Sequence, residues 1–143
     1  MPERLAWTTG AFVVDASVAF KWFFEDREPF VAQAWELLAR HRDGEIVLCA
    51  PDLLYLEITS ALRKRGVDAG VMAQACALLE ALTLGWARID AGLTSHAAEL
   101  AVRHGITVYD ATYAALAASL DCELITDDRR LAGAGACRAR LLG

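Results

Sequence analysis

The sequence lacks the features of a membrane-spanning, secreted or disordered protein. Uncharged stretches such as Ala111–Leu120 are about half as long as the ~20 apolar residues that a membrane-spanning helix needs. Residues 1–7 contain no apolar core of a signal peptide. The chain is 56% hydrophobic with a net charge of −5, a balance that excludes intrinsic disorder. We therefore expect a folded, cytoplasmic protein that does not contact the membrane.

Cysteine and histidine are few, and their spacing argues against a zinc site or a disulfide framework. The four cysteines form no Cys-x-x-Cys pair, and each lies in an apolar stretch. Reduced thiols within the core are therefore expected. The three histidines share no spacing typical of metal ligands.

An excess of basic residues is also missing, since 14 Lys and Arg face 19 Asp and Glu. Proteins that coat nucleic acid normally carry a basic face, so that class is excluded. The length of 143 residues is typical of one domain, and no repeat, low-complexity tract or Pro/Gly-rich linker divides the chain. We expect a leader, residues 1–11, followed by one domain, residues 12–143.

Short apolar strands alternate with helical segments along the chain. Strands are predicted at Phe12–Asp15, Ile46–Cys49, Trp86–Ile89 and Cys122–Thr126, with a weaker fifth at Arg138–Leu142. Helices are predicted to begin near Ser17, Pro29, Pro51, Asp68, Thr94 and Asp110. Strands separated by helices form βαβ units, so we predict an α/β fold with a parallel sheet. The helix from Asp110 to Leu120 is apolar nearly all round and should be buried.

Acidic residues follow two of the predicted strands directly. Asp15 ends the first, and Asp127 and Asp128 end the fourth. In open parallel sheets, ligands bind outside the carboxyl ends of the strands, which favours a functional role for these acids. The alternative is that they cap the helices that follow, at Ser17 and at Arg129.

Two further acids lie in apolar helical segments. Glu57 has Leu53, Leu54 and Ala61 at helical spacing, and a carboxylate in such a stripe is costly unless a cation compensates it. Its alternative is a rim position with an outward-pointing side chain. Asp110 begins a buried helix, where an N-cap role would explain it equally well.

One of Asp127 and Asp128 is expected to be only a helix cap. If the other four acids converge, their carboxylates repel one another and the pocket requires cations. Carboxylates without a His or thiolate partner select hard ions such as Mg²⁺ or Mn²⁺. Such a site suits phosphoryl transfer with water as the nucleophile. Four of the five net negative charges of the chain would then belong to the site itself.

Four segments carry a family resemblance, and they occur in the family's order: Val13–Val18, Pro51–Ile58, Tyr109–Ala117 and Leu124–Leu131. Together they resemble the PIN domain, a family of small metal-dependent ribonucleases, and are most similar to the VapC-type toxins of toxin–antitoxin pairs. The resemblance implies a single three-layer α/β/α domain around a parallel sheet of about five strands. The long leader and the weakly patterned last strand depart from the family.

The resemblance also implies residue roles. The four catalytic acids that hold Mg²⁺ or Mn²⁺ would be Asp15, Glu57, Asp110 and Asp128. The hydroxyls of Ser17 and Thr126 would orient the acids, and Asp127 would occupy a variable, auxiliary position.

Partners follow from the same resemblance and from the arginines, which make up twelve of the fourteen basic residues and suit phosphate contacts. RNA is the implied substrate, a cognate antitoxin the implied protein partner, and a homodimer the implied assembly. Candidate contact residues are Arg63, Arg65, Arg129, Arg130 and Trp22, although solvated surface and core packing explain them equally well.

The sequence therefore predicts a metal-dependent endoribonuclease that acts as the toxin of a type II toxin–antitoxin system. One alternative is a PIN-domain RNA-processing nuclease without an antitoxin. The other is a non-catalytic α/β regulatory module such as a receiver domain. Receivers need two adjacent acids after the first strand, but Ala16 follows Asp15.

Overall fold

A five-stranded parallel sheet forms the centre of the computed structural model, which describes residues 10–143. Residues 1–9 of the predicted leader lie outside the described residues. The strands are β1 (Ala11–Val14), β2 (Val47–Pro51), β3 (Gly85–Ala87), β4 (Glu123–Thr126) and β5 (Ala139–Leu141). They confirm the predicted α/β fold and its five strands, including the weakly patterned fifth.

The helices fill the connections between the strands. They are α1 (Ala16–Ala19), continued by a 3₁₀ turn (Phe20–Trp22), α2 (Val31–Arg42), α3 (Leu53–Lys64), α4 (Ala69–Ala81), α5 (Ala91–His104), α6 (Val108–Ser119) and α7 (Arg129–Ala132). None of the helices in residues 10–143 is long and apolar enough to cross a membrane.

The strand order is β3-β2-β1-β4-β5, so the chain moves outward from β1 first on one side and then on the other. Parallel crossovers are almost always right-handed, and this reversal therefore places helices on both faces of the sheet. It also creates a switch point between β1 and β4, where a crevice opens beyond the strand ends.

The core consists of the strands and the helices that cover them. Val13, Val14, Leu124 and Ile125 are completely buried, as expected for a sheet with both faces covered. Residues 111–117 of α6 are all buried, which confirms the prediction for this helix. The four cysteines are free thiols, two buried and two half-buried.

Five of the six predicted helix starts differ from those in the structure. Helix α6 begins earlier, at Val108, with Thr107 as its N-cap and the Asp110 amide donating to Thr107 Oγ1 at 3.0 Å. The interpretation of Asp110 as an N-cap is therefore wrong. Helix α5 begins at Ala91 behind the cap Asp90, not at Thr94, because the carboxylate captures the amide of Leu93.

At the first helix, Asp15 takes the N-cap position that the sequence assigned to Ser17, although its side chain makes no capping bond. Two smaller shifts involve proline: Pro51 closes β2 instead of opening α3, and α2 begins at Val31. Asp68 caps α4 as predicted, accepting from the amide of Val71 at 3.0 Å.

Candidate active site

Strands β1 and β4 bring Asp15 and the turn 126–128 together at the switch point. The Asp15 amide donates to the carbonyl of Ile125 at 2.9 Å, which continues the pairing of the two strands past their ends. The side chain of Asp15 lies beneath the surface, and the residue is 5% exposed. A carboxylate at this depth needs polar partners to be tolerated.

Two hydroxyl groups supply those partners. Ser17 Oγ donates to Asp15 Oδ2 at 2.6 Å, and Thr126 Oγ1 donates to the same oxygen at 2.9 Å. Each hydroxyl also accepts a backbone amide: Ser17 Oγ from Asp127 at 2.9 Å, and Thr126 Oγ1 from Asp128 at 3.0 Å. Because accepting an amide hydrogen leaves each hydroxyl hydrogen for the carboxylate, the network fixes the orientation of both groups.

Burial raises the pKa of Asp15, and the negative charge of Asp110 raises it further, although the hydrogen bonds from Ser17 and Thr126 lower it. Burial also raises the pKa of Glu57 on α3, with an opposing effect from Tyr113 and further increases from the charges of Asp15 and Asp110. These mutual effects place carboxylates from β1, α3 and α6 in one electrostatic cluster.

Asp110 and Asp128 extend this cluster. Burial raises the pKa of Asp110, the charge of Asp128 raises it further, and Thr107 and Arg130 lower it. Asp128 caps α7, since its Oδ1 accepts from the amides of Arg130 and Leu131 at 2.9 and 3.3 Å. The structure therefore confirms that Asp128 caps a helix, as the alternative predicted. The cap uses only Oδ1, and Asp128 still lies close enough to Asp110 to raise its pKa.

Tyr113 is a participant that the sequence analysis missed. Its hydroxyl is buried, and no group in residues 10–143 meets the distance and angle of a hydrogen bond with it. Its pKa is raised by burial and then by its neighbour Glu57, with smaller contributions from Asp15 and Asp110. A buried hydroxyl without a full partner, directed into an acidic cluster, fits a site that takes up water or a hydrated ion.

Asp127 has a different environment from the other acids. Its Oδ2 lies 2.9 Å from Nζ of Lys21, which is completely buried and also contacts Glu28 Oε1 at 3.2 Å. Lys21 was not predicted as a functional residue. The available signal was its position as a single cation within the apolar run Val18–Phe24, the same argument that identified Glu57.

The donor set fits a hard divalent cation by its chemistry. All four predicted acids offer carboxylate oxygens, the ligand type that Mg²⁺ and Mn²⁺ prefer. Within residues 10–143, no group of three or more His, Cys, Asp or Glu side chains lies in a geometry that could hold a metal ion. Mg²⁺ retains several waters in proteins, so direct contact with three carboxylates is not a requirement.

A groove of about 760 Å³ leads away from the acids along α3. Ser17, Glu57 and Asp127 lie among its lining residues, together with Lys64 and Arg65 from the end of α3. Two large apolar side chains on its rim, Leu56 and Tyr109, are 70% and 62% exposed. The groove thus offers cations and exposed apolar surface beside the acids, a combination suited to binding a polymer.

The predicted contact residues fall into two groups. The exposed residues are Arg63, Arg65, Arg129 and Arg130. The positive charge of Arg130 lowers the pKa of Asp110. Trp22 is 6% exposed, and its Nε1 donates to the carbonyl of Ala34 at 2.9 Å. The prediction of Trp22 as an RNA or partner contact is therefore wrong, because its ring packs in the core and its only polar atom is already bonded.

Comparison with known proteins relates this geometry to a family. The sequence profile of the PIN domain matches residues 12–136. Ribonuclease VapC1 of Mycobacterium tuberculosis (strain ATCC 25618 / H37Rv) is 40% identical over 96 residues, which cover 63% of this chain and 69% of VapC1.

Solved structures show the same fold. VapC20 of Mycobacterium tuberculosis, a sarcin–ricin loop cleaving toxin, aligns with a TM-score of 0.72 and 20% identity over 87% of this chain and 95% of its own. The DNA-bound VapBC of Salmonella typhimurium aligns with a TM-score of 0.67 and 15% identity over 94% of this chain and 100% of its own. From the profile match and the identity to VapC1, this chain belongs to the PIN domain family.

Proposed function

We propose that the protein is a Mg²⁺- or Mn²⁺-dependent endoribonuclease that acts as the toxin of a type II toxin–antitoxin system. The observation that carries this proposal is the electrostatic cluster of Asp15, Glu57, Asp110 and Asp128 at the switch point of the sheet. The pKa values of Asp15, Glu57 and Asp110 are raised by burial and by nearby negative charge, so their ionised forms are destabilising unless a cation occupies the cluster.

Asp15, Glu57, Asp110 and Asp128 would hold the metal in this proposal. A bound divalent ion would supply Lewis acidity toward the phosphodiester and a lowered pKa for water at neutral pH. Ser17 and Thr126 keep the Asp15 carboxylate in one orientation through their donated hydrogen bonds, so no reorganisation of this acid is needed when substrate arrives.

The remaining residues bind and orient the RNA. Arg129 and Arg130 lie at the start of α7 beside Asp128, and Lys64 and Arg65 lie along the groove. The guanidinium groups of Arg65, Arg129 and Arg130 and the ammonium group of Lys64 would bind phosphates near the scissile one. These few cations fit local engagement of RNA, since the chain has no excess of positive charge.

The toxin assignment draws on the relatives. VapC1 is named a ribonuclease, and the Salmonella structure is a VapBC complex bound to DNA. We extend these properties to this chain and propose a cognate antitoxin, a homodimer and a cytoplasmic location. Co-purification of a small protein whose removal releases ribonuclease activity would support the toxin role, whereas a chain that is isolated from its native host without an inhibitor and is fully active would favour an RNA-processing nuclease.

The experiment that tests the activity compares Asp15→Asn and Asp110→Asn with the wild type on a structured RNA, with Mg²⁺, with Mn²⁺ and with a chelator. Each exchange keeps the shape of the side chain and removes one negative charge. Asp68→Asn is the matched control, because Asp68 caps α4 away from the acids. We expect wild-type and control cleavage to require metal and both site variants to lose more than about 100-fold in rate.

A further inference from the structure

Lys21 is a completely buried cation that the proposed chemistry does not use. Its side chain lies in the 3₁₀ turn after α1, and its ammonium contacts Asp127 Oδ2 at 2.9 Å and Glu28 Oε1 at 3.2 Å. Burying an ammonium group costs several kcal/mol unless carboxylates compensate it. The position therefore requires both acids, and an apolar residue in place of Lys21 alone would leave these acids without their buried cation.

Arg65 completes the charge balance of this network. Its Nη2 contacts Glu28 Oε2 at 3.3 Å, and its guanidinium lies 5.3 and 5.1 Å from the ring centres of Phe20 and Phe24. Two cations and two carboxylates thus connect α3, the segment 20–28 and the turn after β4, and their formal charges cancel.

The network determines what Asp127 does. The carboxylate of Asp127 is paired with Lys21, and its amide donates to Ser17 Oγ at 2.9 Å. Asp127 is therefore attached at both ends to the segment that begins with Asp15. Its neighbours in the turn are Thr126, which donates to Asp15, and Asp128, whose amide donates to Thr126.

We propose that Lys21 is a positioning residue for the acidic site. By pairing with Asp127, it fixes the turn 126–128 and so holds Asp128 in place relative to Asp15. The same pair withdraws the fifth nearby carboxylate from the cluster, leaving four acids available to a cation. This inference rests on the proposed metal-dependent nuclease activity for its consequences, but the positioning itself is a property of the folded chain.

The test is a double-mutant cycle with Lys21→Met, Asp127→Asn and the double variant, each assayed for kcat, KM and the Mn²⁺ concentration that gives half-maximal rate. Both single variants should lose about 10- to 100-fold in kcat. KM for RNA should change less than about threefold, because the carboxylate of Asp127, although the residue lines the groove, is paired with the buried Lys21. The double variant should lose no more than the worse single variant, because both changes break the same ion pair. The half-activating Mn²⁺ concentration should change in Lys21→Met and return toward the wild-type value in the double variant.

Arg40→Met is the matched control. Arg40 is also buried, at 5% exposure, and pairs with Glu36 and Glu45 on α2 and the loop that follows it, away from the acids. Its replacement should lower the melting temperature as Lys21→Met does, but leave kcat and the Mn²⁺ requirement unchanged. If Lys21→Met matches Arg40→Met in kcat and in Mn²⁺ requirement, Lys21 is merely structural and the inference is wrong.

Two further readouts keep the test decisive. If Lys21→Met does not fold, Asp127→Asn alone decides, since Lys21 keeps Glu28 as a partner; full kcat in that variant overturns the inference. If the wild type shows no metal-dependent cleavage, the proposed function fails, and hydrogen exchange then tests positioning separately. Lys21→Met should accelerate exchange at the amides of Asp127 and Asp128 relative to Arg40→Met, and equal exchange would overturn the inference.

Discussion

Thr126 Oγ1 donates a hydrogen bond of 2.9 Å to Asp15 Oδ2, which joins the ends of two strands that are far apart in sequence. Thr126 Oγ1 also accepts a hydrogen bond from the amide of Asp128 at 3.0 Å. One buried hydroxyl therefore holds the acid after β1 and the backbone of the acid after β4 in a fixed relation.

Thr126→Val should remove both bonds without changing the shape of the side chain. We expect cleavage to fall about 10- to 100-fold and the free energy of unfolding to fall by about 1–3 kcal/mol, because the Asp128 amide and Asp15 both lose a buried partner. Thr126→Ser, which keeps the hydroxyl, is the control. Wild-type rates in Thr126→Val would show that this bond does not orient the site.

In the metal-free protein, the contribution of Asp15 to stability should fall as pH rises. Burial raises the pKa of Asp15 above its ordinary value, so its stabilising contribution is complete below the unfolded-state pKa and is lost as pH rises through the folded-state pKa. Asp15→Asn removes the cost of the buried negative charge, because the amide is neutral. The amide oxygen should still accept the hydrogen bonds from Ser17 and Thr126.

The measurement is a thermal melt in chelator at pH 7. Asp15→Asn should melt a few degrees above the wild type, which corresponds to roughly 1 kcal/mol, and adding Mn²⁺ should raise the melting temperature of the wild type alone. A variant that melts below the wild type in chelator would show that the buried charge is not a burden.

Tyr113→Phe should shift the pH dependence of cleavage. The phenol lowers the pKa of Glu57, so its removal raises that pKa further and moves the acidic limb of the pH–rate profile to higher pH. The free energy of unfolding should change little, since the hydroxyl makes no hydrogen bond of standard geometry with residues 10–143. An unchanged acidic limb would separate Tyr113 from the function of Glu57.

Trp22 should behave as a core residue. Trp22→Phe keeps most of the ring packing and loses the bond from Nε1 to the Ala34 carbonyl, so unfolding free energy should fall by about 1 kcal/mol with the cleavage rate unchanged at a temperature where both proteins are folded. A loss of RNA binding without a loss of stability would indicate that Trp22 contacts RNA.

Much of the fold could be predicted because its signals are local. An apolar run ending in an acid identifies Asp15 and the pair Asp127 and Asp128, and the resemblance to the PIN domain selects Asp128 from that pair. Asp68 is recognised as a cap because the helix after it is strongly apolar. The predicted start of α6 lies too late in the chain. Thr107 stands in a stretch where polar and apolar residues follow neither the helical period of 3.6 nor the strand period of 2. That error kept an N-cap role open for Asp110, which the structure excludes because Thr107 is the cap.

The missed residues depend on contacts between distant segments. Lys21 looks like a core residue of an aromatic run, and only the fold brings Glu28 and Asp127 to it. Trp22 was interpreted as surface for the opposite reason, because a cluster of aromatic residues beside a predicted site does not reveal which rings face inward. Burial of a single side chain is a property of the tertiary packing that spacing along the chain does not encode.

The central claim is that the clustered acids form a metal-dependent ribonuclease site, and one measurement tests it most directly. Cleavage of RNA by Asp110→Asn is compared with the wild type and Asp68→Asn across a Mn²⁺ titration. We predict that the wild type and the control cleave only when metal is present, and that Asp110→Asn stays more than about 100-fold slower at every Mn²⁺ concentration. Metal-independent cleavage, or a full rate in Asp110→Asn, would contradict the claim.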